Sequence, residues 1–328
     1  MGDNGAAGGG ARHTGDRLRR GRSLGVPGCD RPRHDARRAS RPHLSAGARM
    51  TDAAFGWRLR DPAPGEFFRL GKGGLWMPHA VQRAAAPPLL FVPGGYHGAW
   101  CYAGYLDDCA AAGIAAAAAE PRGHGVLAAD GLHPGSGLAD YAADVAEASR
   151  HLASLAGTAP VLVGHSLGAL VVAMAAHLAP GSGLVLLAPS PPGNLPDAQP
   201  VPPVPEDRLR PPPSRAEALA RFFGGVRPRG LDAWCARLCP ESPRALNDRY
   251  LLRVGVDPAP LRRLPSLCIE AGREDPARHP AGQDEAVAAF YGARHLLLPE
   301  APHCLMVGPA GAESAAIIRA WHAALPRS

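Results

Sequence analysis

The feature that most constrains the fold is the long apolar stretch from Val161 to Ala179, whose first half contains Gly164-His165-Ser166-Leu167-Gly168. A membrane span would not place these glycines and polar residues in its interior, so we interpret the stretch as a buried strand turning sharply into a buried helix. The pattern G-x-S-x-G is typical of a nucleophilic serine on such a turn. The helix N-terminus beneath the serine favours developing negative charge.

Strand-like and helix-like patterns alternate on both sides of this turn. The prediction has strands at 88–92, 114–119, 161–163, 184–187, 267–269 and 295–298, and helices at 102–112, 138–155, 170–179 and 312–325. Strands that alternate with helices favour a mostly parallel sheet covered on both faces. The predicted fold class is therefore α/β.

The alternation stops after Ala188, where residues 189–213 contain eleven prolines. Proline continues neither a helix nor a central strand. Helical patterns follow at 215–223, 231–238 and 243–254, which predicts a helical cap or lid over 189–255. The remaining divisions are an N-terminal extension at 1–49 and the two parts of the core at 50–188 and 256–328.

The formal net charge of +6 comes from the N-terminus, because residues 1–49 hold eleven Arg and four Asp. The other 24 Lys and Arg and 25 Asp and Glu sum to −1, so the charge of the core does not indicate nucleic-acid binding. Residues 1–49 lack hydrophobic periodicity, and we expect disorder there. They are either a dispensable extension upstream of Met50, which we favour, or a basic interaction or targeting tail.

The seven cysteines form an odd set without a CxxC spacing. Cys235 and Cys239 would share a helix face, but no further ligands lie nearby to complete a metal site. The Gly- and Arg-rich N-terminus has no apolar run of the length that a secretory signal needs. We therefore expect reduced thiols, a cytoplasmic location and no membrane partner.

Two further turns carry a family resemblance. Pro93 to Trp100 resembles the strand-3 loop HGG-x-HGAW of the plant esterase and hydroxynitrile lyase branch of the α/β-hydrolase superfamily, with Pro93 in place of the first histidine. The segment Pro121 to Gly125 resembles the R-G-H-G turn after strand 4. With the serine turn, the resemblance runs from about Leu89 to Leu325 and implies an α/β-hydrolase fold with Ser166 as nucleophile.

A serine hydroxyl needs a base, and the base needs an acid to orient it. In this superfamily the acid and then the histidine follow the serine along the chain. Asp275, directly after a predicted strand, is the predicted acid, and Glu274 is the alternative one position away. His303, between the predicted strand 295–298 and the last helix, is the predicted general base.

The tetrahedral intermediate of acyl transfer needs two donors for its oxyanion. The residue after the nucleophile supplies one backbone N–H, here Leu167, and the strand-3 loop supplies the other. We assign the second donor to Gly95, with Tyr96 as the alternative.

These residues predict a serine hydrolase that cleaves a carboxylic ester or thioester through an acyl-enzyme, without cofactor or metal. Phe222, Phe223 and Trp234 in the cap favour a small to medium apolar small-molecule substrate, although they could equally pack in the core. A lyase or carbon–carbon hydrolase on the same triad is an alternative. Cys304 disfavours the lyase, because lyases of the resembling branch carry lysine there. A non-catalytic, ligand-binding relative is the alternative from another class.

Overall fold

The computed structural model describes residues 59–83 and 86–325. The predicted N-terminal extension, residues 1–49, lies outside the described residues. No helix in the described part of the chain has the length and apolarity needed to cross a membrane.

One eight-stranded sheet organises the molecule, in the order β1-β2-β4-β3-β5-β6-β7-β8. The strands are β1 (Phe67–Leu70), β2 (Gly73–Trp76), β3 (Leu89–Val92), β4 (Ala116–Glu120), β5 (Val161–His165), β6 (Gly183–Leu187), β7 (Ser266–Arg273) and β8 (Arg294–Pro302). The pairs β1–β2 and β2–β4 are antiparallel, and every other pair is parallel.

Nine α-helices occur among the described residues: α1 (Ala103–Ala111), α2 (Leu138–Ala156), α3 (Leu167–Leu178), α4 (Arg215–Phe223), α5 (Leu231–Cys235), α6 (Pro243–Tyr250), α7 (Pro258–Leu261), α8 (Gln283–Tyr291) and α9 (Gly308–Ala323). Short 3₁₀ turns occupy Ala99–Tyr102 and Gly125–Asp130. Four helices, α4 to α7, lie between β6 and β7, and the first three fall within the predicted cap, 189–255.

The central strands are buried on both faces, so their apolar residues divide between two layers. Val161 and Val163 of β5 belong to the layer that contains residues of α1 and α9, whereas Leu162 belongs to the layer that contains residues of α2, α3 and α8. Strands covered on both faces read as continuous apolar runs, which is why the sequence identified β3, β5 and β6.

The predicted α/β fold with a mostly parallel sheet is confirmed. The sequence did not predict β1, β2, α7 or α8. Two cap helices are shorter than predicted, since α5 ends at Cys235 and α6 ends at Tyr250. The functional consequence of the topology is that β3, β5, β7 and β8 all end at the same edge of the sheet, where ligands of open α/β sheets bind.

Candidate active site

Ser166 stands on the turn between β5 and α3 with φ 53° and ψ −119°. A non-glycine residue rarely adopts a positive φ, and the cost of this strain is about 1–3 kcal/mol. The backbone holds the turn, because the Ser166 N–H donates to the Leu187 carbonyl at 2.9 Å and the Ser166 carbonyl accepts from Ser190 N–H at 3.1 Å. The serine is thereby presented at the carboxyl end of a central strand.

The two flanking glycines are required by close backbone approach. A Cβ on Gly164 would lie 2.3 Å from the Gly168 carbonyl oxygen, and a Cβ on Gly168 would lie 2.4 Å from the Pro93 carbonyl oxygen. Both distances are far inside van der Waals contact with backbone that cannot move cheaply. The spacing of the motif therefore follows from the tightness of this turn.

His303 follows β8 directly, and its ring is held by a carboxylate. The His303 Nδ1–H donates to both oxygens of Glu274, at 2.8 and 2.9 Å. The side chains are only 8% and 10% exposed, so solvent screens this contact little. A carboxylate on Nδ1 fixes the ring orientation and the tautomer, leaving Nε2 free of its proton and available as a base.

The prediction that Asp275 orients the histidine is wrong, because the structure places Glu274 there. Asp275 instead starts a turn: its Oδ1 accepts from Ala277 N–H at 3.1 Å, and its Oδ2 lies 3.5 Å from Arg278 Nε. Short aspartate side chains favour this local bonding over a longer reach. The β7–β8 pairing also shifts register between Ala271 and Arg273. The alternation of side chains along the strand therefore does not show from the sequence whether Glu274 or Asp275 points towards His303.

The electrostatic surroundings keep the imidazole neutral. Burial lowers the pKa of His303 well below its usual value, and the neighbouring His279, Arg221 and Arg278 lower it further. Burial raises the pKa of Glu274 to about 7, against the opposing effect of His279. An unprotonated imidazole is the form that can accept a proton from a hydroxyl.

Ser166 and His303 line the same cavity of about 70 Å³. Within the described part of the chain no hydrogen bond joins the Ser166 hydroxyl to the imidazole. Catalytic hydrogen bonds of this type are often long without substrate and tighten in the Michaelis complex. Two of the three predicted site residues, Ser166 and His303, thus line one cavity, and Glu274 also lines it and holds His303 Nδ1.

The predicted oxyanion donors lie at the same cavity. Gly95 and Leu167 both line it, and Leu167 begins α3, where a backbone N–H has no partner within the helix. The alternative donor, Tyr96, is already engaged, because its N–H donates to Glu241 Oε2 at 2.9 Å. The hydrogen bonding therefore favours Gly95 over Tyr96.

Glu241, a cap residue that the sequence did not single out, is 1% exposed and anchors several elements. Besides Tyr96 N–H, it accepts from Tyr141 Oη–H at 2.6 Å and from Ser242 N–H at 2.8 Å. His124 Nε2 lies 3.2 Å from the same carboxylate. Burial lowers the pKa of His124, but Glu241 outweighs this and the net pKa is raised. The result is a buried ion pair beside the strand-3 loop.

Two other histidines have structural roles. His97 Nδ1 donates to the Gly95 carbonyl at 2.8 Å, and its Nε2 accepts from Trp234 Nε1–H at 3.1 Å. Burial lowers the pKa of His97 to about 4, which suits this neutral tautomer. His165 Nε2 donates to the His303 carbonyl at 2.8 Å and so fixes the backbone of the base.

The cavity wall departs from the apolar surface that the cap aromatics suggested. Phe222 lines it, whereas Trp234 is fully buried in the core. Three arginines that the sequence did not single out also line it: Arg221, Arg249 and Arg278.

One group at the cavity has the donor chemistry of a metal site. Glu274, His279 and His303 bring ligand atoms within 4.8 Å of one another. Imidazole and carboxylate are suitable ligands for zinc or iron. The Glu274 oxygens, however, are directly bonded to His303 Nδ1. We therefore interpret the group as part of a triad, with His279 as a neighbouring charge.

The mostly parallel sheet and the strained serine at the end of its central strand define a hydrolase of the α/β type. The chain belongs to the alpha/beta hydrolase family, whose model matches residues 89–316. That range contains every residue of the site described above. A comparison with curated proteins finds no match.

Solved structures share this fold at low sequence identity. A probable hydrolytic enzyme from Pseudomonas aeruginosa PAO1 is 16% identical, with a TM-score of 0.59 over 82% of this chain and 99% of its own. A thermophilic esterase from Thermogutta terrifontis, with malate bound, is 16% identical, with a TM-score of 0.56 over 80% and 98%. A methylesterase from Arabidopsis is 19% identical, with a TM-score of 0.54 over 71% and 98%. At these identities the likeness shows the fold.

Proposed function

We propose that this hydrolase cleaves a carboxylic ester or thioester of a small molecule through an acyl-enzyme on Ser166. The observation that carries the proposal is the shared cavity of Ser166 and His303, with both oxygens of Glu274 bonded to His303 Nδ1. This is the order of nucleophile, base and orienting acid that acyl transfer requires.

In the proposed mechanism, His303 Nε2 takes the proton of the Ser166 hydroxyl as its oxygen attacks the carbonyl carbon. Glu274 stabilises the imidazolium that forms, and the N–H groups of Gly95 and Leu167 hold the oxyanion. The imidazolium then protonates the departing alcohol or thiol. Water, deprotonated by His303, attacks the acyl-enzyme and releases the acid.

The cap over 189–255 is proposed to act as a lid. It contributes Phe222 and Leu246 to the cavity wall. The cavity of about 70 Å³ is smaller than the roughly 300–1,000 Å³ typical of ligand pockets, which favours a short acyl chain unless the cap opens.

A cytoplasmic location is proposed as well. The six cysteines of the described residues are free, and free thiols are usual in a reducing compartment.

The test is hydrolysis of p-nitrophenyl esters and acyl thioesters of increasing chain length. We expect activity that is highest for short acyl chains and that falls at least about 10³-fold in Ser166→Ala. Ser190 provides a matched control, since it lines the same cavity but lies outside the strained turn. Ser190→Ala should retain activity within about threefold. Equal loss in both variants, or no hydrolysis of any ester by folded wild-type protein, would contradict the proposal.

A further inference from the structure

Two cap arginines line the active-site cavity without an ion-pair partner among the described residues. Four other cap arginines lie within 4.0 Å of an acid, in the pairs Arg215–Asp232, Arg237–Asp61, Arg244–Asp248 and Arg253–Glu206. The remaining ones outside the cavity, Arg208, Arg210, Arg227 and Arg229, form no ion pair with a described residue and do not line the cavity. Arg221 and Arg249 form no such ion pair with any described residue. They are nevertheless the two cap arginines that face the cavity of Ser166.

Arg249 is the more informative of the two, because it is only 4% exposed. One terminal nitrogen, Nη2, donates to the Arg278 carbonyl at 3.1 Å. The other, Nη1, is buried and has no hydrogen-bond partner among the described residues. Burial lowers the pKa of Arg249 to about 10, which still leaves the guanidinium charged at neutral pH. Burying an unpaired charge costs free energy, so we expect a bound ligand to supply the missing partner.

Arg221 approaches the cavity from α4. Its guanidinium lies 5.9 Å from the ring centre of Tyr96 and 5.5 Å from that of Phe222. Its Nε is buried without a hydrogen-bond partner among the described residues. Two arginines on different cap helices, each with an unsatisfied buried donor, therefore line one cavity.

The two acids that line the cavity, Glu274 and Asp275, already have partners. Glu274 holds His303, and Asp275 lies 3.5 Å from Arg278. Asp284, outside the cavity lining, attracts Arg249 electrostatically; it lies 3.6 Å from His279, and its oxygens have no hydrogen-bond partner among the described residues. None of these carboxylates is within ion-pair distance of Arg249 or Arg221. The positive charge of the two arginines is left for a ligand.

We propose that the substrate of this hydrolase carries a carboxylate, and that Arg249, with Arg221, binds it in the Ser166 cavity. This inference rests on the proposed ester hydrolysis and narrows its substrate class to anionic esters. A guanidinium presents paired donors that match the two oxygens of a carboxylate. The small cavity favours a compact planar carboxylate over a bulkier anion. The substrate is then a half-ester of a dicarboxylic acid or an ester of a carboxyl-bearing alcohol.

Matched ester pairs test the inference and distinguish these two sources of the carboxylate. On the acyl side, p-nitrophenyl hemiglutarate is compared with p-nitrophenyl valerate, which has the same chain length without the charge. On the alcohol side, 3-carboxyphenyl butyrate is compared with the neutral 3-carbamoylphenyl butyrate. We expect kcat/KM of wild type to favour the anionic ester by about 10- to 100-fold in one pair, the range typical of charge-assisted hydrogen bonds.

Substitutions assign the preference to the arginines. Arg249→Met should bring the ratio of kcat/KM for the anionic ester to kcat/KM for the neutral ester close to one. Arg249→Lys should retain part of the preference for the anionic ester. Arg253→Met removes an exposed arginine that pairs with Glu206, and its ratio should equal that of wild type. If Arg249→Met fails to fold, as judged by its thermal melt, Arg221→Met is the replacement and should reduce the ratio. A ratio near one in both pairs for wild type, or an unchanged ratio in the folded arginine variants, would overturn the inference.

A binding measurement separates this inference from the proposed catalysis. Monomethyl glutarate is titrated calorimetrically into Ser166→Ala and into Ser166→Ala/Arg249→Met. Tight binding to the first and at least about tenfold weaker binding to the second supports the carboxylate site, even if no ester is hydrolysed. Equal binding, or none, contradicts the carboxylate site, while hydrolysis of neutral esters would leave the proposed function standing.

Discussion

The substitution Glu274→Gln keeps the size of the side chain beside His303 and removes its charge. Both Glu274 oxygens lie within 2.9 Å of His303 Nδ1, and both side chains are at most 10% exposed. A glutamine amide can donate to Nδ1, which selects the tautomer with the proton on Nε2. That tautomer cannot accept the Ser166 proton. We therefore expect kcat/KM to fall about 10⁴-fold, or about 5.5 kcal/mol of transition-state stabilisation.

Asp275→Asn is the matched control, because it removes the adjacent carboxylate and keeps the turn that Asp275 starts. Asparagine favours the same local turn bonding, and the ion pair with Arg278 is long and partly exposed, so activity should stay within about threefold. The assay is kcat/KM on a short p-nitrophenyl ester, with a thermal melt to confirm folding. Full activity in Glu274→Gln, with loss in Asp275→Asn, would refute the assignment of the acid.

Three further outcomes are expected. Burial raises the pKa of Glu274 to about 7, so its carboxylate is protonated as pH falls through that value. In a pH–rate profile, kcat/KM should therefore drop about tenfold per pH unit below 7. A midpoint under pH 5 would count against this. Gly168→Ala should lower the free energy of unfolding, measured by urea titration, by at least about 2 kcal/mol, because its Cβ would lie 2.4 Å from a backbone oxygen. Gly255→Ala should lower it much less, because its Cβ would approach no atom closer than 3.3 Å. Glu241→Gln should destabilise the folded protein by about 3 kcal/mol, because it breaks the buried ion pair with His124. It should also lower kcat, because it weakens the hydrogen bond that holds Tyr96 N–H in the strand-3 loop. An unchanged melting temperature and kcat would contradict this.

The sequence predicted the fold and the serine turn because both depend on local patterns. Buried apolar runs such as Val161–His165, which is preceded by Pro160 and ends at the serine turn, identify central strands. By contrast, β1 and β2 are four residues each, and β2 begins with Gly73-Gly74, which lowers strand propensity. Their pairing with each other and with β4 comes from tertiary contacts that no local pattern records.

The site was predictable only in part. His303 was identified by its place after a strand, but choosing between Glu274 and Asp275 required the register of β7 and β8. Glu241 and Arg249 lie in the cap, where the chain has no sheet to order its elements and eleven prolines break its periodicity. Their importance comes from burial and hydrogen bonding that only the folded cap creates. Arg221 and Arg249 differ from the other unpaired cap arginines only in lining the cavity with a buried, unsatisfied donor, which the sequence does not show.

The central claim is that Ser166 is a nucleophile, and covalent labelling tests it most directly. A fluorophosphonate should add one adduct to folded wild-type protein, mapped by peptide mass spectrometry to Ser166. Ser166→Ala should take up none, and Ser190→Ala should react like wild type. A folded wild-type protein that stays unlabelled, or an adduct that persists in Ser166→Ala, would contradict the account and favour a ligand-binding relative without catalysis.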